Sequence, residues 1–165
     1  MKFLDLIKKL LGDSEQGDFD DRMKMHGSLS GILQREDGSV ETFTKDNIVV
    51  DVGFDFIADA IGNAAARPAC MGYIGVGTGT VAPVSGNIQL GTELLRKAAA
   101  YAHAVGTKVF TFTAVFNPGE ATGAITEAGV LNAANNGIML DRVTFPVVNK
   151  GANDTFTAVF TFTMS

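Results

Sequence analysis

The residues of this chain best placed to do chemistry are four carboxylates, a glycine-rich run, two histidines and one cysteine. Glu93, Glu120, Glu127 and Asp141 could in principle supply the two carboxylates that flank a scissile glycosidic bond. Such a site also needs aromatic platforms for the sugar, and the sequence has no Trp and only Tyr73 and Tyr101. The run Gly75-Val-Gly-Thr-Gly-Thr80 has the composition of a phosphate loop. It lacks the Lys-Ser/Thr ending and the dinucleotide spacing, and Val81-Ala-Pro83 stands where a helix should begin. A turn is the expected role. His26 and His103 lie far apart with no ligand cluster nearby, so solvated or capping roles are expected rather than a metal site. Cys70 is the single cysteine, which rules out an internal disulfide and a Cys-rich zinc site. It falls in the apolar stretch from Pro68 to Ile74 and reads as a buried small hydrophobe. No Gly-x-Ser-x-Gly elbow is present. The expectation is a chain with no catalytic residues, no cofactor and no metal.

Two charges stand out for a structural reason. Glu127 and Arg142 each interrupt an apolar, strand-like segment. A buried charge needs a partner, so Glu127 is expected to pair with Arg142 or with Arg96. The alternative is that both side chains point outward into water.

The elements that would hold these residues are mostly strands. Ser28 to Arg35 and Val40 to Thr44 read as a hairpin around the Asp37-Gly38 turn, and Asn47 to Val50 as a further short strand. Gly53 to Ala65 carries Phe54, Ile57, Ala58 and Ile61 at helical spacing, with Arg67-Pro68 as its stop. Tyr73 to Val76 is apolar enough for a buried strand, and Thr78 to Gly91 reads as a long loop. In Val109 to Phe116 and Thr155 to Met164, aromatic and small residues alternate strictly, which puts the rings on one face and the Thr and Val residues on the other. Ile125 to Leu131 and Ile138 to Val148 supply two more strands about the Asn135-Asn136-Gly137 turn. Seven or eight strands and one packed helix predict a mostly β fold, a β-sandwich that could take jelly-roll form, over residues 25–165.

Residues 1–24 form a separate N-terminal helical arm in this reading. Lys2 to Leu11 is amphipathic, with Phe3, Leu4, Ile7, Leu10 and Leu11 on one face, and Gly12 is its stop. About ten residues cannot hold a helix alone in water, so that face must pack either on its own domain or on a neighbouring subunit. Docking on a partner is the preferred reading. Asp13 to Lys24 is an acidic, polar linker.

With 165 residues, 46% of them hydrophobic and 19% charged, the chain can build one proper core. A net charge of −5 argues against a general nucleic-acid binder. Asp5, Lys8 and Lys9 break the opening apolar run, so a secretion signal is not expected, and no stretch reaches the roughly 18 apolar residues of a membrane span. A soluble protein made in a reducing cytoplasm follows. The two Phe/Thr strands combine high β-propensity with almost no charge, the profile of a surface that must be central or covered. A homo-oligomer or assembly component is therefore expected.

The order of landmarks is itself informative. Asn47-Ile-Val-Val precedes a Gly-headed helix, followed by Ile74-Gly-Val-Gly-Thr-Gly-Thr-Val-Ala-Pro83 and Leu90-Gly-Thr-Glu-Leu-Leu-Arg96. The Phe/Thr strand, Ile125-Thr-Glu-Ala-Gly-Val-Leu-Asn132, Met139-Leu-Asp-Arg142 and Phe145-Pro-Val-Val-Asn-Lys150 come after it. From Asn47 to Ser165 this order resembles a family of small structural proteins of tailed bacteriophages and prophages, described as virion, tail or tail-fibre-like proteins. The resemblance implies a non-enzymatic virion subunit, such as a head decoration, collar or tail component, whose partners are other capsid, collar or tail proteins. No catalytic residues come with it. A host-recognition module binding surface glycans is the alternative, although the loop from Val84 to Gly91 lacks the aromatics it would want.

Overall fold

A computed structural model describes residues 23–165. Ten strands and one helix follow in the order β1 (Met25–Gln34), β2 (Val40–Asp46), β3 (Ile48–Val49), α1 (Asp51–Gly62), β4 (Tyr73–Gly77), β5 (Glu93–Ala98), β6 (Ala100–His103), β7 (Val109–Phe116), β8 (Gly123–Leu131), β9 (Met139–Lys150) and β10 (Thr155–Met164). They form two five-stranded antiparallel sheets. Sheet A has the order β2-β1-β10-β7-β6 and sheet B the order β3-β9-β8-β4-β5. The protein is a β-sandwich. The N-terminal helical arm expected over residues 1–22 lies outside the described residues.

Alternation in β7 and β10 aims Phe112, Ala114, Phe116, Phe156, Ala158, Phe160 and Phe162 into the gap between the sheets. They register as Phe116 opposite Phe156 and Phe112 opposite Phe160, and neighbouring rings stack or meet edge-on at 5–6.5 Å, as in Phe110–Phe162 at 5.1 Å. Sheet B answers with Ile74, Val76, Ile125, Ala128, Val130 and Val143. Both Phe/Thr strands sit inside sheet A rather than at its edges, which removes their unpaired backbone from water.

Three features depart from the sequence expectation. Strands β5 and β6 arise from a stretch, Glu93–His103, in which no alternation is evident, and their pairing with β4 and β7 makes them strands. The helix begins at Asp51 and ends at Gly62, short of Ala65, because Asn63 leaves helical geometry and its side chain accepts the Ala66 N–H at 2.9 Å. Cys70 is exposed, not buried. The segment joining α1 to β4 pairs with neither sheet before Gly72, and it is Met71 that turns into the core. The hairpin turns are where they were expected: Gly38 has φ +85°, and Asn136 and Gly137 have φ +53° and +80°.

Phe160 is fully buried at the centre of this packing, whereas Thr161 points away from it. Phe160→Ala is expected to cost about 3–5 kcal/mol and Thr161→Ala less than about 0.5 kcal/mol in urea unfolding, the measurement that checks the inward and outward assignment.

Candidate functional site

Sheet B turns Ile74, Val76, Ala128 and Val130 inward, so the intervening residues, Glu127 and Arg142 among them, face away from sheet A. That outer face is not open to water. The segment 78–92 folds over it and Glu127 is completely buried. Its Oε2 accepts from Arg142 Nη2 at 2.8 Å, Arg142 Nε at 3.0 Å and the Gly91 N–H at 2.9 Å. Its Oε1 accepts from the Thr92 N–H at 2.7 Å and the Gly79 N–H at 2.9 Å. Arg142 reaches on with Nη1 to Asn87 Oδ1 at 3.0 Å, the same oxygen that accepts the Val84 N–H at 2.9 Å. Leu90 completes the closure by packing with Val50, Leu131 and Met139 in a small second core. Burial pushes the Glu127 carboxyl up. The Thr92 and Gly91 N–H groups, Arg142 and the Gly79 N–H together outweigh it, and the group sits below its ordinary range as a charged carboxylate.

This carboxylate explains the glycine-rich run. Gly75 and Gly77 belong to strand β4, not to a turn. A Cβ on Gly77 would lie 2.7 Å from Glu127 Oε1, and one on Gly79 would overlap the same carboxylate. A Cβ on Gly75 would meet Leu90 Cδ1 at 2.9 Å. The glycines make room for a buried acid and its lid.

Arg96 is not the partner of Glu127. Its Nε and Nη2 bind Glu93 at 2.9 and 2.7 Å, and its Nη1 donates to the carbonyls of Ala133 and Asn136 at 2.8 and 2.6 Å, pinning the β8–β9 turn. A groove of about 550 Å³ runs between that turn and residues Ile88–Gly91, with Glu93 and Arg96 lining it but already paired to each other. Glu120 binds Lys97 and accepts the Asn117 N–H at 2.8 Å. Glu93, Glu120 and Glu127 are thus each engaged by their own partner. The two histidines are exposed, His26 at 3.5 Å from Asp46 and His103 Nδ1 at 3.1 Å from the Val109 carbonyl. Among the described residues no three His, Cys, Asp or Glu side chains converge as a metal site would need.

Asp141 is a different kind of acid, and the sequence pattern gave little sign of it. It is wholly buried at a bulge of β9, where it accepts the Val130 N–H at 2.9 Å and the side-chain amide of Asn47. Asn47 in turn lies over Gly27 of β1, where any side chain would collide with it, so the pair ties sheet B to sheet A. Both donors are neutral. Burial pushes the Asp141 carboxyl up to about 8 even against them, so it carries its proton at neutral pH.

The outer face of sheet A has no such cover among the described residues. Register sets rows across its strands: Asp46, Ser28, Thr161, Thr111 and Ala102; then Thr44, Ser30, Val159, Thr113 and Ala100; then Thr42, Ile32, Thr157 and Val115. Val40, Gln34 and Thr155 close one end, and His26, Thr163 and Val109 the other. Of these outward positions only His26 and Asp46 can ionise, and they face each other at one corner. The face measures about 20 by 30 Å from strand spacing and rise. Phe3, Leu4, Ile7, Leu10 and Leu11, the expected partner-docking residues, lie outside the described residues.

Two outcomes are expected of the buried acids. Arg142→Met strands Glu127 without a cation and should cost about 3–5 kcal/mol in urea unfolding, with Glu127→Gln/Arg142→Met recovering part of the loss. A loss below about 1 kcal/mol would show that the loop does not depend on the pair. For Asp141 the folded pKa lies above the unfolded value near 3.8. Between about 4 and 8 the native state therefore holds a proton that the unfolded chain has released, and stability falls as pH rises, by at most roughly 1.4 kcal/mol per unit. Asp141→Asn should flatten that slope and leave the protein at least as stable at pH 7. An unchanged pH profile would mean the acid is ionised in the fold.

Compared with protein-family models, with curated proteins and with solved structures, the chain matches none.

Proposed function

We propose that this chain is a non-enzymatic structural subunit of a tailed-phage particle, an accessory head-decoration, collar or tail component held by other chains of the assembly. The observation that carries this reading is the outer face of sheet A. A sheet face meant for water normally spreads Lys, Glu and Asp among its outward positions. Here they are Thr, Ser, Val, Ile and Ala with one Gln, Gln34, at an end, and His26 and Asp46 confined to a corner. Its footprint, on the order of 600 Å², approaches the roughly 800 Å² that each partner gives to a standard protein interface. The order of landmarks from Asn47 to Ser165, similar to that of the phage structural proteins, supports the particle. The internal engagement of Glu93, Glu120, Glu127 and Asp141 supports a structural role for the charges.

Charging the face tests the reading. Thr111→Lys/Thr161→Lys places two neighbouring cations mid-face, because the two threonines are cross-strand partners. The variant is expected to keep a cooperative unfolding transition yet to fall at least tenfold in the amount recovered with purified particles. Recovery equal to that of the unaltered chain would overturn the use of this face. Absence of the unaltered chain from particles would overturn the function itself.

A further inference from the structure

An apolar groove of about 420 Å³ opens between α1 and the β6–β7 end of sheet A, lined by Met25, Phe56, Ile57, Tyr101, Phe110 and Leu140. None of these side chains is charged, and Tyr101 is 59% exposed at its rim. A concave, carbon-lined trough beside a helix is what receives the apolar stripe of an amphipathic helix. The chain supplies such a stripe in Phe3, Leu4, Ile7, Leu10 and Leu11, which helical spacing places on one face. We infer that this groove seats the apolar face of residues 3–11 from a second copy of the chain, an exchange of arms between subunits.

The choice of a second copy rests on the linker. β1 starts at Met25, itself a wall of the groove, and Lys24 is tied there by paired backbone bonds with Ser165 at 2.7 and 3.0 Å. An arm returning to a groove at whose edge it begins needs only the 2–8 residues of an ordinary helix connection. Asp13 to Lys24 is longer than that, and Asp13, Glu15, Asp18, Asp20 and Asp21 repel one another along it. Extended at about 3.3–3.6 Å per residue, it spans roughly 40 Å. That length suits a reach to a neighbour. The inference rests on the homo-oligomer expected from the sequence and not on the chain's belonging to a phage particle.

Cys70 lines the same groove and is exposed, which makes it a native reporter. In the full chain, Ile7→Cys treated with a short bismaleimide is expected to give a covalent dimer. Mixing Ile7→Cys/Cys70→Ala with the unaltered chain should give the same dimer, while neither partner alone does so. Tyr101→Lys in the Ile7→Cys background should cut the yield at least tenfold. A product cross-linked within one chain, identified by mass and peptide mapping, would overturn the exchange by giving the groove to the chain's own arm. The absence of any product from both Ile7→Cys and Leu10→Cys would overturn the groove as the seat. Because the readout is the cross-link, a chain missing from particles can still give the dimer, and the two proposals fail separately.

Discussion

The fold depends on one carboxylate satisfied in the dark. Glu127 has no water to lean on, and it is tolerable inside only because a guanidinium and three backbone N–H groups converge on its two oxygens. Those donors come from β9 and from both ends of the segment 78–92, so satisfying the acid also fixes where that segment lies. The glycines of β4 and the loop follow from the same demand, since the carboxylate and Leu90 occupy the space their side chains would fill. An apolar residue at position 127 could pack as well. It would not hold three separate stretches of backbone in register.

The consequence is an unequal pair of sheets. Sheet B is covered on both sides, by sheet A within and by its own loop and the Leu90 cluster without. Sheet A is covered on one side by the aromatic core. Among the described residues its other side shows a field of hydroxyls and methyls, with ionisable groups only at the His26–Asp46 corner. Asp141 and Asn47 stitch the two sheets at one margin, and Arg35 stitches another by joining Glu41 of β2 to Asp154 and the Asn149 carbonyl of the β9–β10 hairpin. The polar interior therefore serves placement of backbone.

Much of this was legible in the residues. Strict alternation in Val109–Phe116 and Thr155–Met164 identified strands, faces and core at once, because period two has one structural meaning. Glu127 and Arg142 stood out as charges in apolar runs, though spacing alone could not choose between Arg142 and Arg96. Other features were hidden because their causes are distant in sequence. Leu94 to Ala102 has no strand pattern of its own and is held as β5 and β6 by partners already in place. The purpose of Gly77 and Gly79 depends on an acid some fifty positions later, at Glu127, and that of Gly75 on Leu90. Asp141 read only as one of four candidate carboxylates, and its inward place opposite Val130 depends on a register with β8 that its neighbours in sequence do not reveal. Cys70 sat among apolar letters but beyond the reach of either sheet.

The position of the two ring-bearing strands within sheet A limits how the protein can associate. One margin of the sheet, β2, carries Glu41, Lys45 and Asp46, and the other, β6, is only four residues long. Neither margin offers a clean ladder to which another strand could be added, so sideways extension of sheet A is disfavoured. What the sheet leaves available is layering, in which one body lies on top of another and the contact is used up. Any body laid on that surface would use it up in one layer, whereas an open strand edge would pass pairing on from copy to copy.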